Sequence, residues 1–321
     1  MPNSADTRWL GAAARLASRG IPLSRPNPSV GAILVKDGKV IARGWSQPGG
    51  RPHAEAMALV AAGAAAQGAT LYVTLEPCAH ASPRGPACAE LVAASGVARV
   101  VIGCADPDPR TAGAGAERLR AAGIAVTDAD NAECRASLIG YLTKAEKGRP
   151  HITLKLALSH AGHLAPPPDK GQWLTGPIAR AHVHAVRARM DAIAVGRGTF
   201  EADQPRLDVR LPGISDRSPQ RWLLTNGLAP DGWSVLPEPA AIAAMDGVQY
   251  LMVEGGAGAA QAFLDAGLVD RLLLYRAPPA VSGHGPALPQ LTQAALAVSL
   301  QWRLTDTRPL GNDTVQVYER A

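Results

Sequence analysis

The chain has little of several residue types that mark special classes of protein. Of its 321 residues, 4 are cysteine and 4% are aromatic. So few cysteines in a chain of this length exclude a small disulfide-rich scaffold. No apolar run approaches the roughly 20 residues that a membrane-spanning helix needs, and the first residues lack the basic-then-apolar pattern of a signal peptide. We therefore expect a cytoplasmic protein with reduced thiols and no membrane partner.

A strong excess of one charge is also missing. The formal net charge is +5, and neither half of the chain is a polycation, so we expect no nucleic-acid partner. Apolar residues make up 47% of the chain and charged residues 18%. That mixture supports a buried core and excludes wholesale disorder. A chain this long usually forms two domains.

The pattern of elements supports two α/β domains. In the first half, a β-hairpin with Asp37-Gly38 at its turn precedes alternating helix and strand patterns, which predicts a mixed sheet covered by helices. A predicted helix over 131–147 ends at Gly148-Arg149-Pro150, where a helix end, a charge and a proline coincide. We place the domain boundary there, with domains at 1–148 and 149–321, and the alternating pattern starts again after it.

The most specific signal is a set of metal-ligand residues. His53-Ala54-Glu55 is followed by Cys78 and then by Cys88. A zinc deaminase uses one His and two Cys as ligands, leaves the fourth position for water, and keeps beside the metal a Glu that is not a ligand. His53, Cys78 and Cys88 are therefore the candidate zinc ligands. The motifs fall at predicted helix starts, where the helix dipole favours a thiolate.

The alternative interpretation of this set is structural. Any one of these residues alone is more often a small buried thiol or a surface imidazole, and only their order and positions together favour a metal site. The deaminase signature has two residues between its cysteines, whereas nine separate Cys78 from Cys88 here. We interpret Cys104, on a predicted strand, and Cys134, on a predicted helix, as structural.

Further motifs resemble a known family over nearly the whole chain. In the first half these are Pro26-Asn27-Pro28-Ser29-Val30-Gly31, His53-Ala54-Glu55, Thr74-Leu75-Glu76-Pro77-Cys78-Ala79-His80, Pro86-Ala87-Cys88 and Asp106-Pro107-Asp108-Pro109. They are similar to the deaminase half of the bifunctional riboflavin biosynthesis deaminase-reductase family. The resemblance implies a cytidine-deaminase-like α/β/α sandwich with a mixed sheet, followed by a dihydrofolate-reductase-like α/β domain.

The resemblance also implies the chemistry of the first half. The reaction would be hydrolytic deamination of a small-molecule phosphoribosylaminopyrimidine, with one zinc ion per chain and Glu55 as the catalytic residue. Asn27 would hydrogen-bond the edge of the ring, and His80 and Arg84 would bind the sugar phosphate. Asp106 is a further candidate substrate-binding residue. A solvated loop cation is the open alternative for Arg84.

Motifs of the second half resemble the reductase of the same family. They are Leu154-Lys155-Leu156, Gln172-Trp173-Leu174-Thr175, Gly198-Thr199, Ala202-Asp203-Gln204-Pro205-Arg206-Leu207 and Val253-Glu254-Gly255-Gly256-Ala257-Gly258. The glycine-rich run follows a predicted strand and opens a predicted helix, where free backbone amides can bind phosphate. Tight packing explains such a turn equally well, and its spacing is not the Rossmann fingerprint.

The resemblance implies NADPH as the second cofactor, with hydride transfer to the opened ribose. The implied cofactor-binding residues are Leu158, Trp173, Thr175, Thr199, Asp203, Asn226, Gly255, Gly256, Ala257 and Gly258. The implied substrate-binding residues are Gly171, Arg187, Leu207, Arg210 and Glu254. The two arginines would meet the phosphate of the substrate. For Trp173, a place in the core is the alternative.

The chain also departs from the family pattern. Ala161 stands where the family has an acidic residue, Gly171 where it has serine, and Gln204 where it has the second Asp of Asp-Asp-Pro. The stretch 226–247 is short and rich in Ala and Pro, where the family fits more strand and helix. In the first half, Asp108 replaces Asn, and the loop between the cysteines is one residue longer. A deaminase with a noncatalytic reductase-like half is therefore the alternative function.

Two other classes of function fit the zinc motif. A nucleic-acid-editing deaminase with an appended binding domain would need a basic surface with aromatic side chains, which the second half does not offer. A noncatalytic zinc module would need no proton carrier at Glu55. The oligomeric state is open, and a homodimer or a higher oligomer is expected because such two-domain enzymes often dimerise.

Overall fold

The chain forms two compact units. The computed structural model describes residues 2–80, 82–167, 169 and 173–321, so the candidate substrate residue Gly171 lies outside the described residues. The units are Met1–Gly148 and Arg149–Ala321, each with its own sheet. Among the described residues, no helix is long and apolar enough to cross a membrane.

The first unit alternates strands and helices around a five-stranded sheet. Its elements are α1 (Ser4–Ala17), β1 (Gly31–Lys36), β2 (Lys39–Trp45), α2 (Ala54–Ala62), β3 (Thr70–Val73), α3 (Cys88–Ala93), β4 (Arg99–Ile102), α4 (Ala114–Ala121), β5 (Ala125–Asp128), α5 (Ala132–Ser137) and α6 (Ile139–Lys147). The strand order is β2-β1-β3-β4-β5. β1 is antiparallel to β2 and β3, whereas β3, β4 and β5 run parallel. The predicted mixed sheet is therefore present.

The hairpin turn forms where the sequence predicts it. Asp37 and Gly38 have φ angles of 51° and 71°, and Lys36 pairs with Lys39 across the turn. Two consecutive positive φ angles are the requirement of the tight turn that matches strand twist.

Helices cover both faces of this sheet. One face, which includes Leu34 and Leu71, packs against residues of α2, α3 and α4. The other face, which includes Ile33 and Tyr72, packs against α1 and α5. The alternation of neighbouring strand residues between the two clusters follows the period of two of a β-strand. α2 and α3 share one face, which brings their first residues to the same region.

Two predicted helices of the first unit are shorter than expected. The helix predicted over 131–147 is divided at Leu138, whose φ of −105° and ψ of 3° are not helical. The alanine-rich stretch 54–67, whose composition also predicts a helix, is α-helical only as far as Ala62, because Gly63 adopts φ 52° and ψ −135° and a 3₁₀ turn follows. The alanine-rich composition favours a helix in both stretches, but it does not indicate where the chain must turn.

The second unit is built on an eight-stranded sheet. Its elements are β6 (His151–Leu158), β7 (His163–Ala165), α7 (Pro177–Arg187), β8 (Ala192–Gly196), α8 (Arg197–Asp203), β9 (Gln220–Leu224), β10 (Ser234–Leu236), β11 (Tyr250–Glu254), α9 (Ala257–Asp265), β12 (Arg271–Arg276), β13 (His284–Ala287), α10 (Gln293–Ala297), β14 (Trp302–Leu310) and β15 (Asp313–Arg320). The strand order is β10-β9-β8-β11-β6-β12-β15-β14, and β13 and β7 form a separate pair. The six strands β10, β9, β8, β11, β6 and β12 run parallel to one another. β15 is antiparallel to both of its neighbours, β12 and β14.

Several short elements of this unit were not expected from the sequence. They are β7, α8, β10, β13 and α10. The short stretch 226–247 holds β10 and a 3₁₀ turn over Pro239–Ala244. Its Leu236, Ile242 and Met245 side chains are each 1% exposed and belong to the main core of the unit. This stretch therefore packs tightly although it has little regular structure.

Candidate active sites

The three candidate zinc ligands lie together in the first unit. His53 is the N-cap of α2, Cys88 is the first residue of α3, and Cys78 lies in the loop that follows β3. His53 Nδ1 is 3.2 Å from Cys88 Sγ and 3.6 Å from Cys78 Sγ, and ligand atoms of all three lie within 4.8 Å of one another. Cys78 is not at a helix start as predicted; the Cys88 backbone N–H donates to its sulfur at 3.3 Å.

The geometry and chemistry of this cluster fit a zinc ion. Nitrogen and sulfur ligands of a tetrahedral zinc ion lie about 3.5 Å apart, in agreement with both distances from His53. The hydrogen bond with Cys88 lowers the pKa of Cys78 to about 4, whereas the same hydrogen bond and burial raise the pKa of Cys88. The pair of free thiols therefore gives up one proton readily, and a bound cation favours the loss of the second.

Glu55 lies beside the cluster without belonging to it. It is the second residue of α2, it is buried, and its Oε2 atom has no hydrogen-bond partner among the described residues. Burial raises the pKa of its carboxyl group above the ordinary value. A buried carboxyl group that can hold and release a proton suits general acid–base catalysis. Asn27 borders the same place, with its Nδ2 atom 3.4 Å from His53 Nε2.

A cavity of about 450 Å³ opens at this cluster. Its lining includes the substrate-binding residues that the sequence predicts for the first half, Asn27, His80, Arg84 and Asp106. Asp106 is buried and accepts a hydrogen bond from the Tyr141 hydroxyl at 2.7 Å, and burial raises the pKa of its carboxyl group. Arg84 is exposed and donates from Nη1 to the carbonyl oxygen of Gly49 at 2.9 Å.

Two carboxylates that line this cavity were not predicted as site residues. The buried Glu76 side chain accepts hydrogen bonds from the backbone N–H groups of Gly113 at 3.0 Å and Ala116 at 3.1 Å, which fixes the first turn of α4 beside the cavity. Asp108 forms a salt bridge of 2.5 Å with Arg110. The extra negative charge that distinguishes Asp108 from the family's Asn is thus compensated by a neighbouring cation.

A second cavity, of about 280 Å³, lies in the second unit. The predicted residues that line it are Trp173, Thr175, Arg187, Thr199, Asp203, Arg210, Glu254, Gly255 and Gly256. Trp173 is 59% exposed, so it is not a core residue. Arg180 covers its ring, with the guanidinium carbon 5.3 Å from the ring centroid.

A largely buried ion network lines this second cavity, with the side chains of Lys155, Glu254 and Arg187 14%, 16% and 9% exposed. Glu254, at the end of β11, receives a hydrogen bond from Lys155 Nζ at 3.2 Å and two from Arg187, at 2.8 and 3.0 Å. Burial raises the pKa of Glu254, but the charges of Lys155 and Arg187 outweigh it and bring the pKa to about 2. The sequence did not single out Lys155 as a site residue. An isolated charge in the otherwise apolar strand β6 was the available signal.

The glycine-rich turn stands at the start of α9. Gly256 is the N-cap of α9, and its N–H donates to Thr199 Oγ1 at 2.8 Å. A Cβ atom added to Gly258 would meet nothing within 4 Å, so a ligand can approach the backbone there. An open helix start beside a polar cavity fits the phosphates of a dinucleotide.

The other residues predicted for the second site do not line the cavity in the described part of the chain. Leu158 and Leu207 are 0% and 3% exposed and belong to the core. Asn226 is exposed in the turn after β9, and Ala257 and Gly258 open α9. Their assignment to the cofactor or the substrate stays a prediction from the resemblance.

Known proteins match both halves of the chain. Residues 3–104 match the cytidine and deoxycytidylate deaminase zinc-binding region, and residues 150–316 match the RibD C-terminal domain. The chain is 34% identical to the riboflavin biosynthesis protein RibD of Aquifex aeolicus over 98% of each chain. It is 35% identical to the Escherichia coli RibD protein over 96% of this chain and 97% of that one. The chain belongs to the RibD family.

Solved structures of RibD proteins have the same fold. RibD of Acinetobacter baumannii is 32% identical and matches 99% of each chain with a TM-score of 0.85. A diaminohydroxyphosphoribosylaminopyrimidine deaminase/5-amino-6-(5-phosphoribosylamino)uracil reductase of Thermotoga maritima is 27% identical and matches 99% of each chain, also with a TM-score of 0.85. The predicted fold class, a cytidine-deaminase-like sandwich followed by a dihydrofolate-reductase-like domain, is confirmed.

Membership of the RibD family also confirms the predicted kind of enzyme. The protein is a bifunctional deaminase and reductase of riboflavin biosynthesis that acts on a small-molecule pyrimidine. Its cofactors are zinc, at the His/Cys/Cys cluster, and NADPH. Of its departures from the RibD pattern, Gln204 and Ala161 are among the described residues, and neither belongs to the ion network around Glu254. Gln204 ends α8 with a positive φ of 41°, and Ala161 lies exposed in the turn between β6 and β7.

Proposed function

We propose that residues 1–148 form the deaminase domain, that residues 149–321 form the reductase domain, and that the substrate is 2,5-diamino-6-(5-phosphoribosylamino)pyrimidin-4-one. The observation that carries this proposal is the cluster of His53, Cys78 and Cys88 with the buried Glu55 beside it, at one cavity of about 450 Å³. The Thermotoga maritima relative, which is named for the same substrate class, supports it.

In the first domain, His53, Cys78 and Cys88 hold the metal and Glu55 moves the protons. Zinc, when bound, is a Lewis acid that makes water nucleophilic near neutral pH. The Glu55 carboxylate takes a proton from the attacking water and delivers it to the ring nitrogen. It then takes the remaining proton from the hydroxyl group that the water has added to the ring and gives it to the amino group, which leaves as ammonia. Its burial and its unpaired Oε2 atom support this role.

The remaining residues of the first cavity bind the substrate. Asn27 holds the edge of the pyrimidine next to the metal, and Asp106 accepts a hydrogen bond from a donor group of the substrate. His80 and Arg84 border the sugar phosphate. The positions of all four on one cavity wall support these roles.

In the second domain, NADPH supplies a hydride to the anomeric carbon of the opened ribose, which becomes a ribityl chain. Glu254, Arg187 and Arg210 hold the substrate, with the arginines at its phosphate, and the segments of Gly171 and Leu207 complete this side. The cofactor lies along the segments that contain Leu158, Trp173, Thr175, Thr199, Asp203, Asn226, Gly255, Gly256, Ala257 and Gly258. The open start of α9 and the ion network around Glu254 support the proposal.

Replacement of Glu55 tests the deaminase. Glu55→Gln keeps the size of the side chain and removes the proton carrier, so we expect ammonia release to fall about a thousandfold while the zinc content stays at that of the wild type. Glu117→Gln, an exposed residue of α4, is the matched control and retains full activity. A Glu55→Gln enzyme with undiminished ammonia release would refute the role of Glu55.

The alternative of a noncatalytic second domain has its basis in Gln204 and Ala161. The complete network of Glu254 with Lys155 and Arg187 favours an active reductase instead. The measurement is NADPH oxidation in the presence of the deaminated ribosylamino substrate. We expect NADPH to be oxidised. If a folded, zinc-loaded protein oxidised no NADPH, the deaminase would be the only activity of this chain.

We also infer that the enzyme works in the cytoplasm, without nucleic acid or membrane, as a homodimer or higher oligomer. The modest net charge of +5 supports the absence of a nucleic-acid partner. Analytical ultracentrifugation of the full chain measures the oligomeric state.

A further inference from the structure

One arginine of the deaminase cavity has no role so far. Among the described residues that line this cavity are Arg51, Arg84 and Arg110. Arg84 donates to the carbonyl oxygen of Gly49 at 2.9 Å, and Arg110 is paired with Asp108 at 2.5 Å. The Arg51 side chain has no hydrogen bond or salt bridge with any residue that the structure describes.

The surroundings of Arg51 hold its guanidinium group near the metal cluster. Arg51 is partly buried, two residues before His53, in the chain between β2 and α2. Its Nη1 atom lies 3.1 Å from the position of a Cβ atom added to Gly85. Gly85, in the loop between Cys78 and Cys88, has a φ of 140°. Glycine is therefore favoured at position 85 both by the backbone and by the space that Arg51 needs.

None of the four carboxylates that line this cavity, those of Glu55, Glu76, Asp106 and Asp108, forms a salt bridge with Arg51. Asp108 is paired with Arg110, Glu76 accepts backbone N–H groups, and Asp106 accepts the Tyr141 hydroxyl. A partly buried guanidinium without a carboxylate partner is a strong site for an anion, and its planar donors bind phosphate oxygens in pairs. The proposed substrate carries one strongly anionic group, its ribosyl 5-phosphate.

We propose that Arg51 is the principal phosphate-binding residue of the deaminase site and makes this site select phosphorylated over dephosphorylated pyrimidine ribosides. The assignment deepens the proposed function and rests on it. Arg84, which is bound to the Gly49 carbonyl, joins the loop between the cysteines to the loop of Arg51. It thereby keeps Arg51 directed at the cavity.

The test compares two substrates in the full-length, zinc-loaded enzyme. Ammonia release is measured with the phosphorylated diaminopyrimidinone riboside and with the same riboside lacking its phosphate. For Arg51→Gln we expect the KM of the phosphorylated substrate to rise about 10- to 100-fold, the effect of one lost charged hydrogen-bonding group. Its kcat, and kcat/KM for the dephosphorylated riboside, stay near the wild-type values.

Two further variants make the comparison specific. Arg51→Lys keeps the charge but not the two-pronged donor geometry, so its KM falls between those of the wild type and Arg51→Gln. Arg43→Gln, on the exposed side of β2, is the matched control and behaves as the wild type. Arg51→Lys also gives the comparison of the two substrates if Arg51→Gln fails to fold, because it keeps the charge and alters only the donor geometry.

Zinc content and the pattern of losses decide the outcome. An unchanged KM of the phosphorylated substrate in Arg51→Gln overturns the proposal. Equal losses with both substrates, together with lost zinc, overturn it as well and assign Arg51 to support of the metal cluster. A wild-type enzyme that releases no ammonia from either substrate contradicts the proposed function itself, which is a different result from a normal enzyme without a role for Arg51.

Discussion

The two active sites of this chain depend on their residues in different ways. The deaminase site needs side chains of fixed identity, because only a few residue types bind zinc, and His53 lies 3.2 and 3.6 Å from the two cysteine sulfurs. The proposed reductase site combines backbone at the start of α9 with the ion network around Glu254. Such a backbone site accepts many side chains. The deaminase site can therefore be predicted from the types of its residues. The reductase site depends mainly on the conformation of the backbone, which single residue types do not reveal.

Because of this difference, we expect the two sites to respond differently to the replacement of a single residue. Loss of one zinc ligand removes a metal and its chemistry together. Loss of one partner in the second site leaves buried charges unpaired, which costs stability as well as binding. Changes made in one domain at a time therefore separate the two activities.

The largest expected effect is the loss of zinc. Cys78→Ala, or treatment with a strong chelator, abolishes ammonia release because the cluster of three ligands is incomplete or empty. NADPH oxidation with the deaminated substrate persists, because the ion network of Glu254 belongs to the other unit. Parallel assays of the two reactions with metal analysis provide the measurement. Loss of both activities in a folded Cys78→Ala protein would show that the two sites are not independent.

An effect on stability is expected from the ion network of the second unit. Glu254→Gln leaves Lys155 and Arg187 buried without their carboxylate, so we expect the free energy of unfolding to fall by about 3 kcal/mol, together with loss of NADPH oxidation. Glu201→Gln is the matched control, because the salt bridge of Glu201 with Arg197 is exposed and 3.5 Å long. Urea denaturation of the wild type and both variants measures the difference, and equal midpoints would contradict it.

The same carboxylate predicts a dependence of stability on pH. The pKa of Glu254 is lowered in the folded chain from the ordinary 4.5 to about 2. The folded state therefore binds fewer protons than the unfolded state between these values, and the contribution of Glu254 is complete above about pH 4.5. It is lost as the pH falls toward 2. Denaturation from pH 6 downward should show a smaller loss of stability in Glu254→Gln than in the wild type.

The sequence predicts those features that depend on residue identity. Asp37-Gly38 specifies the hairpin turn, the alternating apolar residues specify the strands, and the ligand motifs indicate the zinc cluster. In each case the residue types within short segments of the chain are enough to indicate the local structure or the ligand. The hairpin and the metal cluster of the first unit therefore follow from short sequence motifs.

Features that depend on tertiary packing were predicted poorly. The break at Leu138 leaves no mark in a helix-favouring composition, and the turn that ends α2 at Ala62 is equally hidden in an alanine-rich stretch. Arg51 and Lys155 were missed for a related reason. Each is a single charged side chain whose role depends on the residues around it. Those residues come from distant parts of the chain.

The smallest expected effect concerns the two cysteines outside the cluster. Cys104 and Cys134 are buried, 2% and 0% exposed, and unlike Cys78 and Cys88 they do not belong to the cluster of possible metal ligands around His53. Cys104→Ala removes one small buried group and should cost about 1 kcal/mol of stability, with the zinc content and both activities unchanged. Metal analysis compares the zinc content of Cys104→Ala with that of Cys78→Ala. A loss of zinc in Cys104→Ala would mean that Cys104 supports the metal site although it lies outside the cluster around His53.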